Sequence, residues 1–471
     1  MSELSSLPVA IIDAGPVGLP AAAHLVVRGM TPVVFERGSG VGASLREWAH
    51  VRVFSPWRYN IDAAARALLV SSGWQAPEDE GLPTGGDIVA HYLEPLAALP
   101  QLAPHIKASA TVTAITRRGL DKVSSAGRDD APFSIRWTDV QGNEQVTLAR
   151  AVIDASGTWT QPNPMGVDGL PVRGERALAE KIAYGIPDVL GAERGHYTGK
   201  TTLVVGSGHS AINAALALLA LQDSDPDTRV LWALRRNRIE KLIGGGLNDQ
   251  LPERGALGLA ARRAIAAGRL QMLSPFAARQ VLASGDSIEV IGDLGPVATS
   301  LTVDRIIVAT GFRPDLTMLS ELRVAVDPAT EAPPALSPLI DPNLHSCGTV
   351  PPHGVDELTQ PETGFYLVGS KSYGRAPTFL MATGYEQVRS IVAALSGDLA
   401  AARQVHLVLP ETGVCSAAPI VGKAASSCCG GPAATASACC VADEVAKAEG
   451  ASGCGCGASA SPADLISEPA E

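Results

Sequence analysis

Apolar residues gather into short runs that begin near residue 8 and recur to about residue 395. The first is VAIID, residues 9–13, within a strand expected over 8–13. An apolar helical stretch at 16–28 and a second strand, TPVVFE (31–36), follow. Continuous runs of this length, bounded by glycine, predict strands buried on both faces. Residues 109–154 read as a β-meander: ATVTAITRR, FSIRWTD, a turn at Gln141-Gly142-Asn143, and QVTLARAVIDASG. At 201 the opening pattern starts again, TTLVVGSGHSAINAALALL followed by RVLWALRR. A helix near 257–268, short strands to about 292 and the buried strand DRIIVATG (304–311) come next. GFYLVGS (364–370) predicts one more strand, and Thr378 to Leu395 a helix. Strands alternating with helices, begun twice, predict an α/β fold of two Rossmann-like doubly wound domains.

Composition adds limits. Of 471 residues, 46% are hydrophobic and 18% charged, enough apolar material for large cores. A formal charge of −11 argues against nucleic acid and anionic membranes as partners. The longest apolar run, AALALLALQ from Ala214, is too short for a membrane span and reads as a core helix. MSELSSLPVA carries no export signal pattern, so a cytoplasmic protein is expected. From about residue 421 the chain turns to Ala, Ser, Gly and Cys with scattered acids. Such a composition cannot bury a core, and a flexible tail is expected.

The glycine turns carry the chemistry. A dinucleotide-binding turn follows G-x-G-x-x-G, whose glycines permit a tight turn, approach of the pyrophosphate and close helix packing. The first turn reads Asp13-Ala14-Gly15-Pro16-Val17-Gly18, with Asp13 where the first glycine belongs. Glu36, followed by Arg37, ends the next strand, where an acid hydrogen-bonds a ribose hydroxyl. The second turn reads Gly206-Ser207-Gly208-His209-Ser210-Ala211. Its next strand ends in Arg235-Arg236, with Arg238 close behind, where guanidinium groups suit a 2′-phosphate. A solvated basic loop is the alternative. The first unit therefore reads as an FAD site and the second as an NADPH site. Asp13 and Pro20 would weaken the first, through backbone strain, like charge and a lost N–H.

Two Rossmann units, each with a strand ending in an ATG-like turn, resemble flavoproteins with two dinucleotide-binding domains. These are the class B flavin monooxygenases and thioredoxin-reductase-like enzymes. The matching turns are Asp154-Ala155-Ser156-Gly157 and Ala309-Thr310-Gly311. The resemblance implies that the NADPH domain is inserted in the FAD domain: 1–165 with 305–398, 166–304, then an extension over 399–471. It also places Gly369-Ser370, where a Gly-Asp pair is usual, at the flavin's ribityl chain. HVRVFSPWRYN, AYGIPDVLG, GSGHSAIN and KSYGRAPTFL, with the cysteine-rich tail, are similar to flavoproteins encoded beside bacterial arsenic-resistance genes.

Residues 1–346 contain no cysteine, so the dithiol relay of the reductases is absent from them. The F-x-G-x-x-x-H signature of class B monooxygenases is also missing; the corresponding region reads VRGERALAEKIAYG. Candidate catalytic residues are Arg46, Trp57, Arg58 and Asn60, with Trp48 beside the flavin and Ser55, Tyr373, Arg375 and Thr378 nearby. The alternative makes both tryptophans core anchors and the arginines surface ion pairs. His345, Cys347 and His353 have metal-ligand chemistry without standard zinc spacing, which favours a structured loop. Cys428, Cys429, Cys439, Cys440, Cys454 and Cys456 are paired soft ligands suited to a thiophilic metalloid such as arsenite. A low-complexity tail with no specific role is the alternative. Three functions stay open: an NADPH-dependent FAD monooxygenase of metalloid metabolism, a flavin reductase of tail or external thiols, and a non-catalytic metalloid binder.

Overall fold

The computed structural model describes residues 3–236, 251–344, 350–376 and 379–407. Arg238, His345, Cys347, Thr378 and the tail cysteines lie outside them. In chain order, β1 (Val9–Ile12), β2 (Pro32–Phe35) and β3 (Ile106–Lys107) precede a meander of β4 (Thr111–Arg117), β5 (Phe133–Thr138) and β6 (Glu144–Ala149). Then come β7 (Ala151–Asp154), β8 (Ile182–Tyr184), β9 (Thr201–Val205), β10 (Arg229–Ala233) and β11 (Gln271–Leu273). A second meander of β12 (Phe276–Ser284), β13 (Ser287–Leu294) and β14 (Val297–Val303) leads to β15 (Arg305–Val308) and β16 (Phe365–Leu367).

Two parallel sheets result, ordered β16-β7-β1-β2-β3 and β8-β15-β9-β10-β11. Both orders read outer strand, returning strand, first, second, third. In each unit an antiparallel meander delivers the returning strand, β7 or β15, to the side of the first strand. The run at 151–154, read with the meander, thus belongs to the parallel sheet because its four residues are buried on both faces. β15 likewise pairs with β9 and β8, so the chain returns to the first unit after residue 308 rather than at 305. Helix Leu399–Arg403 packs on helix Met381–Leu395 and buries Ala402, which extends the first unit past 398.

Strand alternation decides what each sheet covers. Val9 and Ile11 face the layer of helices Gly18–Val27 and Met381–Leu395, whereas Ala10 and Ile12 face Ile115, Phe133 and Ile135 of the meander. Each fully buried Val or Ile contributes roughly 1.5–3 kcal/mol of transfer free energy. The meander is tied to the loop before β16 by an ion triad: Glu362 accepts from Arg117 Nε at 2.7 Å and Arg128 Nη2 at 2.6 Å. All three side chains are buried, and against the cost of burial the Arg128 bond, the Arg323 N–H and the Arg117 bond hold the Glu362 carboxyl below its usual range. Among the described residues no helix is long and apolar enough to cross a membrane.

Candidate functional site

The functional elements sit where open parallel sheets place them, beyond the carboxyl ends of the strands. At the end of β1 the Asp13 N–H donates to Phe35 O at 2.7 Å, and Asp13 turns into the left-handed region at φ 87°. That conformation is why glycine is usual here; aspartate is among the side chains that tolerate it best. Asp13 Oδ2 folds back and accepts from the Gly15 N–H at 2.9 Å. Gly18 brings the helix start against the strand end: a Cβ there would lie 2.0 Å from Asp13 O. Pro20 falls in the first turn of that helix, where N–H groups have few intrahelical partners, and its cost is small.

Glu36, fully buried at the end of β2, accepts from Ala14 N at 3.1 Å and from Gly38 N at 2.7 Å. Burial pushes its carboxyl up; the two N–H bonds, Arg37 and Arg46 partly offset this. Asp13 is pushed well up, first by desolvation, next by Glu36 and more weakly by Asp154, with the Gly15 N–H and Arg37 opposing. Asp154, at the end of β7, binds Lys371 Nζ at 2.7 Å and accepts from the Ser156 N–H at 3.1 Å and its hydroxyl at 2.6 Å. Lys371 and Asp154 are both buried. Following the strand order, the first edge therefore carries Lys371, Asp154, Asp13 and Glu36: one cation, then three acids.

Gly369 begins the turn after β16 at φ 67°, and its N–H donates to Gln387 Oε1 at 2.7 Å. Gln387 Nε2 lies 2.9 Å from Ser372 Oγ and 3.0 Å from His353 Nε2. Ser370 packs beside Gly157, itself at φ 66°. His353 Nδ1 is 3.1 Å from Pro351 O, so both ring nitrogens have protein partners, and burial lowers its pKa. A metal-ligand role does not suit it.

At the second edge Gly206 adopts φ 138°, and a Cβ there would lie 2.2 Å from Ala309 O. Trp232 Nε1 fixes the turn by donating to Gly206 O at 2.8 Å. Ser207 and Gly208 are exposed, and Gly208 caps helix His209–Ser224 without a side-chain bond. Ser210 is half-buried, and Ala211, fully buried, serves the close packing that Gly18 serves in the first unit. The His209 ring stands 5.3 Å from Phe54 of the first unit, over which the Arg254 guanidinium lies at 5.9 Å. Arg235 and Arg236 follow β10 at the surface; desolvation and then the Arg236 charge lower the Arg235 pKa. Thr310 Oγ1 donates to Asn163 O at 2.7 Å, and Asn163 N to Gly311 O at 2.9 Å, which ties the two connecting segments together. Trp159 on one of them packs at a tilt against Phe312 of the other at 4.8 Å and against Trp48 at 6.5 Å, and donates to Glu47 Oε2 at 2.6 Å.

The expected pocket residues each have protein partners of their own among the described residues. Trp57 is a core side chain, 5% exposed. Asn60 is buried and braces the loop, donating to Ser55 O at 2.6 Å and Pro56 O at 3.0 Å, while Ser55 Oγ donates back at 3.0 Å. Arg58 pairs with Glu80 on the surface and covers the Tyr59 ring. Arg46 bonds Glu94 at 2.7 Å and Val41 O at 3.1 Å; its charge still reaches Glu36. Tyr373 packs on His353 and Phe379, and Arg375 pairs with Glu331 at 2.8 Å. Sequence reasoning passed over Lys371, Gln387 and the Trp159–Phe312 contact. The signal for Lys371 was its position, a lysine just beyond an apolar strand of the first sheet.

A family model described as pyridine nucleotide-disulphide oxidoreductase matches residues 10–338. The monooxygenase cfoE of Aspergillus candidus is 28% identical over 218 residues, 44% of this chain and 32% of that protein. The chain thus spans about a third of the length of the curated relative it matches. Among solved structures, the bacillithiol disulfide reductase of Bacillus cereus superposes with a TM-score of 0.59 at 19% identity, covering 83% of this chain and 99% of that one. The ornithine hydroxylase PvdA of Pseudomonas aeruginosa gives 0.55 at 14% identity, covering 83% and 99%. At these identities the likeness is one of fold. The match across both dinucleotide units is decisive for kinship: the chain belongs to the pyridine nucleotide-disulphide oxidoreductase family.

Proposed function

We propose that this protein is an NADPH-dependent FAD oxidoreductase working as a monooxygenase on a thiophilic metalloid or a related small substrate. The observation that carries the reading is the pair of dinucleotide turns with opposite chemistry at the end of the following strand: Glu36 in one unit, Arg235 and Arg236 in the other.

The residues of the first turn fit FAD, with one exception. Gly18 allows the helix to approach, and the helix N-terminus favours phosphate charge. Glu36 accepts two N–H bonds, and a carboxylate has about four lone-pair sites, so it has lone pairs left for ribose hydroxyls once its fully buried side chain is uncovered. The exception is the Gly15 N–H, which Asp13 already takes. Bound FAD supplies two-electron transfer between reduced nicotinamide and dioxygen or another acceptor. The chain's own part is to hold the ring system near residues 156–157 and 369–370, and to place the nicotinamide donor from the second turn against it. Arg235 and Arg236 suit the 2′-phosphate of NADPH by charge-assisted bonds.

Oxygen as the acceptor is supported by the lack of any cysteine in residues 1–346, despite the family's name, and by the kinship with a monooxygenase. The metalloid reading rests on the six tail cysteines, whose thiolates would raise the local concentration of bound arsenite. The fold shared with bacillithiol disulfide reductase supports a second reading, electron delivery to tail or external thiols. Purified protein should show a flavin absorption band and consume oxygen with NADPH. Turnover only under nitrogen with a disulfide acceptor would favour the reductase. A colourless protein that FAD does not restore would leave the non-catalytic binder.

A further inference from the structure

We infer that the Asp13 carboxylate is a resident anion of the first dinucleotide turn, and that FAD loads by displacing it together with uptake of one proton from solvent. The flavin is then an exchangeable partner of the protein rather than a permanently held group. The inference deepens the flavin reading above and rests on it.

Three observations carry it. The Gly15 N–H, one of the donors that a pyrophosphate would meet, is satisfied at 2.9 Å by Asp13 Oδ2. The same oxygen lies 2.5 Å from where a Gly15 Cβ would stand, so the carboxylate fills the concavity that the second glycine opens. Asp13 reaches this place from φ 87°, a conformation that turns its side chain back over its own turn. The Asp13 side chain thus sets a carboxyl oxygen in the place, at a helix N-terminus, that favours one negative charge.

The surroundings decide how the charge responds. Glu36 and Arg37 at the end of β2 and Asp154 at the end of β7 face Asp13, and the Gly15 N–H faces it from its own turn. Arg37 also lies near Glu47, at 3.6 Å, and Lys371 is paired with Asp154, so neither cation is dedicated to Asp13. Desolvation and Glu36 already raise the Asp13 proton affinity. A pyrophosphate arriving beside the carboxylate would raise it further by like-charge repulsion. Binding that raises a group's proton affinity draws in a proton. FAD affinity must therefore fall as pH rises between the Asp13 pKa values of the two states, by up to about tenfold per pH unit for one proton.

The test is titration of apoprotein with FAD, followed by flavin fluorescence, across mildly acidic to mildly alkaline pH for the wild type, Asp13→Asn and Asp13→Gly. Asparagine tolerates the same backbone and keeps an acceptor for Gly15, but carries no charge. Wild type should weaken with rising pH, whereas Asp13→Asn should bind roughly tenfold or more tightly at neutral pH and show no such slope. An Asp13→Asn protein with the wild-type slope, or a wild type with none, overturns the inference. So does tightening by Asp13→Gly alone, which would assign the effect to backbone strain. FAD bound by none of the three proteins at any pH overturns the flavin reading itself, and the inference with it.

Discussion

The two dinucleotide turns solve the same geometric problem with different materials. Each follows the first strand of a five-stranded parallel sheet, each begins at positive φ, and each packs a helix start against the strand end. At Gly206 the requirement is absolute, because Ala309 O occupies the space of any Cβ. At Asp13 space exists, and the side chain uses it to satisfy Gly15. The second turn presents exposed backbone at Ser207 and Gly208. The first presents a carboxylate, flanked by Glu36 and by the buried Asp154–Lys371 pair. A fingerprint position is thus a conformation first and a residue second. One departure from glycine leaves the turn intact while changing the charge that it offers.

The sharpest way to test the contrast is to remove the cation from the first edge. Lys371→Met leaves Asp154 buried without its partner, and breaking one side of a buried pair costs about 3–5 kcal/mol. Urea unfolding should show that loss, largely recovered in a Lys371→Met, Asp154→Asn double variant. A loss below about 1 kcal/mol would mean that water replaces the ammonium and that the first edge is not held by charge. The corresponding cut at the second edge is Gly206→Ala. Its Cβ must push Ala309 O aside in a conformation that L side chains rarely adopt, at about 3 kcal/mol. Gly208→Ala, which meets nothing within 4 Å, should cost far less and is the control.

The fold was legible because its signals are local and repeated. Continuous apolar runs gave β1, β9 and β15, and the two glycine turns placed the helices. What the pattern did not assign was sheet membership: β7 reads as the end of the first meander, and β15 as a buried strand without neighbours, until their parallel partners are known. The half-polar strand β14, with alternating exposed Thr and Ser, escaped because its pattern is weak. The site divided in the same manner. Backbone-determined positions such as Gly18, Gly206 and Ala211 follow from a motif. Arg58, Asn60 and Trp57 do not, since residue type alone cannot distinguish an ion pair with Glu80, a loop brace or a core contact from a place in a pocket.

Coenzyme choice tests the other half of the contrast, the acid after β2 against the guanidiniums after β10. Replacing Arg235 and Arg236 together by glutamine should raise KM for NADPH by about 10²-fold, roughly 2–3 kcal/mol of charge-assisted bonding, and leave NADH nearly unchanged. An equal rise for both coenzymes would remove the 2′-phosphate role and return these residues to a solvated basic loop.

The smallest expected effect concerns the stability of the flavin-free protein with Asp13→Gly. Glycine relieves the positive-φ backbone, worth up to about 1–2 kcal/mol for an ordinary side chain and less for aspartate. Against this stand the lost hydrogen bond to Gly15, about 1 kcal/mol, and the greater unfolded freedom of glycine, about 0.5–1 kcal/mol. These nearly cancel, so below the unfolded pKa of about 4, where the carboxyl is protonated folded and unfolded, the unfolding free energy should lie within about 1 kcal/mol of wild type. The pH dependence is more telling than the value. Asp13 binds its proton more tightly folded than unfolded, so wild-type stability from this group is fully present below the unfolded pKa of about 4 and is lost as pH rises through the folded value. Asp13→Gly lacks that loss and should gain on wild type as the pH climbs. A variant that is several kcal/mol weaker at neutral pH would make Asp13 a brace of the turn. The difference between the two edges would then be one of architecture, not of an anion that cofactor can replace.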